Sequence, residues 1–476
     1  MKMRILLMLA LWLAVNTAAA QRVLPIYYKA DEIYMRNYRD TIDSIMKVAI
    51  DSCCFPGGQV YASINGHVII NKAYGYFTYP AQDSAARLQR EDSLSRFHIF
   101  YPFSPEKYEQ EKPHEVSVTD IYDLASLTKV SATTIMVMSM VDKHKMGTAR
   151  TLGDYLENPY DNEAKVLNVS IRSLLEHRSG IAAWTPITRF CNYWWGWRIN
   201  CRTLGIPFDT ILHKNEIREA SFNELFSREY IEGQADRRVA DGIYMRNNYQ
   251  DSLRRFYFEH GMARRKKYVY SDINMIYLQW AAENAANCKI DKYMADNFYT
   301  PLGLETTGYL PLTRFPKDRI APTEAHQWNN VLLQGDVHDP TAALLGGVAG
   351  NAGLFSSAQD LGILFEMLMN RGKHNGKQYI SSAVIDRFTA KQPNTERGLG
   401  FDLVPSIFAA DNSSERTFGH TGFTGPCAWA DPDNKIVIVI TNNRVYPTQE
   451  NKKMVQMRIR KKICNAIYNG CGILGK

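Results

Sequence analysis

The strongest constraint on this chain is where its strand-like segments fall, at its two ends with helices between. Near the start, Gln59–Ile64 and His67–Tyr74 read as short strands joined by Asn65-Gly66. That dipeptide favours the type I′ turn of a tight hairpin. Near the end, Thr417–His420, Cys427–Asp431 and Lys435–Asn442 are strand-like, with Asp431-Pro432-Asp433-Asn434 as a turn. Each set has an amphipathic helix beside it. Asp31–Asp51 carries Tyr38, Ile42, Ile45, Met46 and Ala49 on one stripe and is stopped by Pro56-Gly57-Gly58. Glu450–Tyr468 is basic, with Val455, Ile459, Ile463 and Ile467 expected inward and Lys452, Lys453, Arg458, Arg460, Lys461 and Lys462 expected on its wet face. The economical solution joins both ends in one antiparallel sheet flanked by helices, an α+β fold, and leaves the middle to form a second, mainly helical lobe.

On this reading residues 21–120 are the N-terminal part of the α/β lobe, interrupted at 79–115 by a polar insertion carrying Pro80, Pro102, Pro105 and Pro113. Residues 121–344 make the helical lobe, and 345–476 return to the α/β lobe. Helices are predicted from about Ser126 to Lys143, Ser173 to Gly180, Ile273 to Ala286, Lys289 to Tyr299 and Ser357 to Asn370, the last after a glycine-rich turn at Gly346-Gly347, Gly350 and Gly353. An insertion at 182–262 begins with Trp184, Tyr193, Trp194, Trp195 and Trp197 and continues into a charged, helical stretch.

Residues 1–20 have the order of a secretory signal peptide: Lys2 and Arg4, the apolar run Ile5–Val15, then Ala18 and Ala20 before Gln21. The run is shorter than the roughly 20 residues of a membrane-spanning helix. Export to the periplasm or the extracellular space, with cleavage near Ala20/Gln21 and no membrane span in the mature chain, is therefore expected. Removing Lys2 and Arg4 lowers the formal charge from +7 to +5. So mild a charge gives no reason to expect nucleic acid as a partner. Apolar content of 45% and charged content of 22% are those of a globular protein. Eight cysteines in an exported chain permit disulfides, with Cys191–Cys201 and Cys464–Cys471 as sequence-near candidates. The sequence gives no oligomeric state.

A nucleophile elbow G-x-S-x-G, the zinc-peptidase pattern H-E-x-x-H, a P-loop and a dinucleotide fingerprint are all absent. No cofactor or metal is expected. The spacing S-x-x-K occurs three times, at Ser44–Lys47, Ser104–Lys107 and Ser126–Lys129. The first falls on the polar side of a helix and the second, followed by Pro105, in a polar loop. Ser126 opens an apolar helix, where a spacing of three puts serine and lysine on one face, one turn apart. A helix N-terminus also favours the oxyanion formed after attack. The alternative for this pair is an N-capping serine with a surface lysine.

Tyr270-Ser271-Asp272 follows at the start of a later helix, and His420-Thr421-Gly422 at the end of a strand, before Phe423-Thr424-Gly425. This ordered triplet resembles the penicillin-recognising serine hydrolases, the superfamily of class C β-lactamases, DD-peptidases and related esterases. Asp123–Lys129 and Leu174-Leu175-Glu176-His177-Arg178-Ser179-Gly180 are similar to further segments of that branch, and the resemblance runs from about Pro56 to Pro447. It implies the β-lactamase/transpeptidase-like fold. It also implies Ser126 as the acylated nucleophile, with Lys129 and Tyr270 handling its proton. The backbone N–H groups of Ser126 and Phe423 would form the oxyanion hole. His420, Thr421 and Gly422 would belong to the substrate-binding polar network, and Arg444 would meet a substrate carboxylate or form a strand-end ion pair.

Asp272 departs from the family pattern, which has Asn there. An ionised Asp accepts hydrogen bonds but cannot donate one to a substrate carbonyl. It should also favour the charged form of Lys129 and so shift the base role towards Tyr270, as a phenolate held by Lys129. The resulting expectation is a serine hydrolase acting on peptide or amide bonds of cell-wall muropeptides, with a small-molecule or cell-wall peptide as its partner. The alternatives are a carboxylesterase or weak β-lactamase with the same site, or a non-catalytic binder of wall fragments. His338, beside an acid, is expected to be structural.

Overall fold

The computed structural model describes residues 32–80, 113–160, 164–183, 225–260, 267–326, 331–393, 395–404 and 406–473. The elements that build the site are helices α1 (Glu32–Asp51), α2 (Thr134–Asp142), α3 (Asp272–Ala286), α4 (Ala358–Met369) and α5 (Ile459–Gly470), and strands β1 (Gly57–Ile64), β2 (His67–Gly75), β3 (Asp402–Leu403), β4 (Phe418–Thr421), β5 (Cys427–Asp431) and β6 (Ile436–Asn442).

The two ends of the chain do meet in one antiparallel sheet, in the order β3-β4-β5-β6-β1-β2. The join is β1 against β6, with Val60 opposite Ile440 and Ile64 opposite Ile436. Asn65 and Gly66 both take positive φ, 54° and 77°, as a type I′ hairpin requires. Side chains alternate between two cores. Val60, Ala62, Trp429, Ile438 and Ile440 pack with Ile42 and Met46 of α1 and Ile463 and Ile467 of α5. Tyr61, Ala428, Ala430, Val437 and Val439 face the other way, with Leu361, Leu364 and Phe365 of α4. All seven residues of β6 are buried, which is why it reads as a continuous Ile/Val run.

The helical lobe is organised around α3, whose residues Ile273–Ala282 are buried except Trp280. Several predicted elements differ in detail. The helix expected from Ser126 to Lys143 is a 3-10 turn at Ala125–Leu127, a π turn at Lys129–Thr133 and then α2. Tertiary partners compete for its first turns: Tyr299 donates to the Ser131 carbonyl (3.0 Å), and the Thr133 hydroxyl donates to Gly350 O (2.8 Å). The helix expected at Ser173–Gly180 is Ile171–Leu175, ended before the left-handed His177.

The C-terminal helix is interrupted. Lys453–Gln456 forms one turn, Arg458 is left-handed, and α5 starts afresh. The break puts Lys453–Gln456 out of phase with α5, so Val455 is exposed rather than inward, while Ile459, Ile463 and Ile467 stay inward as expected; Arg460, next to Ile459 and three residues before Ile463, is buried rather than wet. Within 182–262, the residues after 224 form a small antiparallel sheet of Phe226–Ser227, Arg237–Ala240 and Ile243–Met245, and a helix at Asn247–His260.

The signal segment, most of the insertion at 79–115, Ser104–Lys107, Cys191–Cys201 and the Trp184–Trp197 cluster lie outside the described residues. The six described cysteines are free, so the Cys464–Cys471 bridge does not form. Seven residues along a helix separate those two by roughly 10 Å of rise, beyond the reach of a disulfide. Among the described residues no helix is long and apolar enough to cross a membrane.

Candidate active site

The site forms where the start of the helical lobe meets the edge of β4. Asp123 pairs with Phe355 in a short antiparallel ladder. Its buried carboxylate accepts the Ala125 N–H and the His338 N–H, each at 2.7 Å, and its carbonyl accepts the Thr424 hydroxyl at 2.7 Å. These bonds hold Ala125 at φ +45°, an uncommon conformation for a residue with a side chain, and so set the turn that presents Ser126. Opposite it, Gly422 runs so close that a Cβ there would stand 2.4 Å from Leu124 O. Only glycine lets the end of β4 lie against the nucleophile turn.

Lys129, 1% exposed, donates to Ser126 Oγ at 2.7 Å and to Asn351 O at 3.0 Å, and its Nζ lies 2.7 Å from Asp272 Oδ1. Burial opposes its charge, but Asp272 and then Tyr270 outweigh burial and raise its pKa above the ordinary lysine value. Ser271 caps α3 by accepting the Asn274 N–H, which places Asp272 in the first turn of the helix.

Tyr270 is half-buried beside Lys129 and Ser126, with the Lys129 ammonium 5.0 Å from its ring centroid. Burial raises the pKa of its hydroxyl, and Lys129 only partly offsets this. This direction favours the neutral phenol at rest over the phenolate considered from sequence. Desolvation was the missing contribution, and a sequence does not reveal it.

Two imidazoles flank the phenol ring, His177 at 4.7 Å and His420 at 5.9 Å between centroids. His177 Nδ1 accepts the Ser271 N–H at 3.1 Å and so fixes the Tyr270–Asp272 segment. His420 Nδ1 donates to Thr421 O at 2.7 Å, since a carbonyl can only accept, leaving Nε2 as a bare acceptor 3.9 Å from Asp402. Burial pushes both histidines below the ordinary value, so both are neutral.

Phe423 is about half exposed, at 49%, with its ring stacked on His338 (5.7 Å) and the Arg444 guanidinium 4.5 Å from its centroid. Arg444 is buried and donates to Asn451 O at 2.9 Å. Burial pushes its pKa down to about 10. In this position Arg444 packs on the Phe423 ring and holds the chain after β6. His338 is structural as expected: its Nε2 meets Glu324 at 2.8 Å, and Glu324 also accepts the Gln449 N–H.

Sequence reasoning assigned no role to Asp123, His177, Asn351 or Arg460. The segments around the first two were singled out, and only their side-chain functions went unread. Ser44 and Lys47 are exposed, bonded to Asp40 O and Asp51, as a solvated helix face should be. Among the described residues no cluster of His, Cys, Asp or Glu could hold a metal ion.

A family model described as Beta-lactamase matches residues 39–458. A protein of Salmonella gallinarum, provisionally named D-alanyl-D-alanine carboxypeptidase, is 32% identical over 210 residues, 40% of this chain and 48% of its own. A Salmonella typhi protein of the same name is 32% identical over 208 residues, with the same shares. The chain spans about half the length of the curated relatives it matches. Among solved structures, EstCE1, described as a hydrolase with promiscuous acyltransferase activity, superposes with a TM-score of 0.57 at 16% identity, over 91% of this chain and 100% of its own. The octameric penicillin-binding protein homologue from Pyrococcus abyssi gives 0.54 at 14%, over 89% and 78%. At such identities the likeness is one of fold.

Proposed function

Because this chain belongs to the β-lactamase family, we propose that it is an exported serine hydrolase working through an acyl-enzyme on Ser126, with peptide or amide bonds of cell-wall muropeptides, such as D-Ala-D-Ala ends, as its substrate. One observation carries the chemistry: a buried Lys129 ammonium that touches the Ser126 hydroxyl and the Asp272 carboxylate, each at 2.7 Å. The provisional name of the Salmonella relatives supports the substrate class.

Ser126 Oγ attacks the scissile carbonyl carbon and its proton passes into the Lys129–Tyr270 pair. Both members hold their protons at rest, so acylation draws on the form of the pair that has lost one. Two such strongly interacting groups titrate as a unit. The carbonyl oxygen, now negative, is received by the N–H groups of Ser126 and Phe423. The pair returns the proton to the leaving group, and water then releases the acyl group by the same steps in reverse.

A carboxylesterase is the second reading, favoured by Asp272. Its carboxylate cannot donate to a substrate amide carbonyl, and an ester needs less help in expelling its leaving group. Labelling with a fluorescent fluorophosphonate and a fluorescent penicillin separates the readings. Both label a DD-peptidase-like site, and only the first labels an esterase. Labelling by neither would contradict catalysis and leave a wall-fragment binder. Release of D-Ala from a muropeptide tests the substrate directly.

A further inference from the structure

Behind the oxyanion loop lies a buried cation that the chemistry above does not use. Arg460, on the first turn of α5, is 6% exposed. Its Nη2 donates to Gly422 O at 2.9 Å and to Gly425 O at 2.7 Å, and its Nε donates to Gly425 O at 2.9 Å. Among the described residues no carboxylate pairs with it. Its hydrogen bonds run to main-chain oxygens, and the titratable groups close to it are the thiols of Cys427 and Cys464 and the Arg444 guanidinium. A guanidinium buried without a counter-charge is costly unless its position returns something.

The position is specific. Gly422 C=O and Phe423 N–H are two ends of one peptide unit. That unit is planar and trans, so the two bonds point in opposite directions. A cation holding the oxygen therefore leaves the Phe423 N–H pointing away from itself, in a loop that lies against Leu124 of the nucleophile turn at Gly422. Drawing electron density towards the oxygen also makes the N–H a stronger donor, as in any hydrogen-bonded chain. The far end of the loop is fixed by the second pair of bonds, to Gly425 O, and its middle by the Thr424 hydroxyl on Asp123 O. Arg460 thus grips both ends of a four-residue loop whose one exposed side chain is Phe423.

We infer that Arg460 is a positioning residue for the oxyanion hole: its guanidinium aims and polarises the Gly422–Phe423 peptide so that the Phe423 N–H meets the negative oxygen formed when Ser126 attacks. This rests on the serine-hydrolase reading above. Arg460 touches no reacting atom. It acts through the peptide, and its positive charge, uncompensated by any described carboxylate, lies on the side of the loop opposite the oxyanion.

The test is steady-state hydrolysis of a p-nitrophenyl ester by the parent, Arg460→Met and Arg460→Lys, each normalised to the sites a fluorophosphonate can titrate and checked for a cooperative melting transition. Losing a direct oxyanion donor lowers kcat about 10²–10³-fold. Losing its support should lower kcat about tenfold for Arg460→Met, with KM within about threefold. Affinity for a phenylboronic acid, which forms an anionic tetrahedral adduct on serine, should fall with kcat. Arg460→Lys, which keeps the charge and loses the fork, should recover part of both. A general packing role would lower the melting temperature and the titratable fraction but leave kcat per site and boronate affinity at the parent's values, and that result overturns the inference. If Arg460→Met does not fold, Arg460→Lys decides: kcat and boronate affinity equal to the parent's overturn it, and a parallel fall in both supports it. A parent that is never acylated at Ser126 removes the serine-hydrolase reading and this role with it, whereas an active parent with unaltered variants removes only this role.

Discussion

The Lys129 ammonium lies 2.7 Å from an Asp272 carboxylate oxygen, in a site where the lysine is 1% exposed and the aspartate 30%. This pair sets the charge state of the proton-handling machinery. Burial disfavours the charged Lys129, and Asp272, with Tyr270, reverses that. Since Lys129 and Tyr270 are both raised above their ordinary values and the working form has lost a proton, kcat/KM for an ester should climb with pH through the alkaline range. Asp272→Asn removes the carboxylate and leaves burial to lower the lysine. The rising limb should then move to lower pH by at least one unit, and the ratio of penicillin acylation to ester turnover should rise because the amide restores a donor. pH–rate profiles of parent and variant check both. An unmoved limb would mean that Asp272 does not set the state of Lys129.

Tyr270 stands beside the serine and the lysine, and losing its hydroxyl removes one member of the proton-handling pair. Tyr270→Phe should lower turnover by the factor typical of a lost general acid–base group, about 10²–10⁴. The melting temperature should hold nearly constant, because the ring still packs against His177 and His420. Single-turnover acylation of parent and variant measures this. A fully active Tyr270→Phe would return the base role to Lys129 alone.

Much of this architecture was legible in the sequence. The hairpin at Asn65-Gly66, the buried run of β6 and the union of the chain ends follow from period, turn chemistry and the need to cover a sheet. Ser126, Lys129, Tyr270, Asp272 and His420 stand out because the motif spacings are local. What escaped depends on contacts far apart in sequence. Asp123 reads as an ordinary acid until His338 and Thr424 arrive from residues more than 200 positions away. Arg460 looks like a surface cation because it stands in a run of basic residues, and only the folded chain brings the Gly422 and Gly425 carbonyls over it. Tyr270's protonation could not be read because burial is a property of the folded chain.

The Glu324–His338 ion pair predicts a pH dependence of stability. Burial disfavours the imidazolium, but the hydrogen bond and charge of Glu324 outweigh it and raise the folded pKa above the usual histidine value of about 6.5. A group with a raised folded pKa contributes its stabilisation fully below the unfolded value and loses it as pH rises through the folded value. The parent should therefore lose stability from about pH 6.5 upwards through the raised pKa, and His338→Gln should be less stable at pH 6 with a flatter profile over that window. Chemical denaturation at several pH values tests this. Parallel profiles would mean that the pair contributes nothing.

The central claim is that Ser126 becomes covalently acylated. Intact-protein mass spectrometry of the parent and of Ser126→Ala, each incubated with a fluorophosphonate and then digested to locate the adduct, tests it most directly. The account predicts one adduct on the parent, on the peptide carrying Ser126, and none on Ser126→Ala. An adduct that persists on Ser126→Ala and maps to another residue, or a parent that is never labelled, would contradict it.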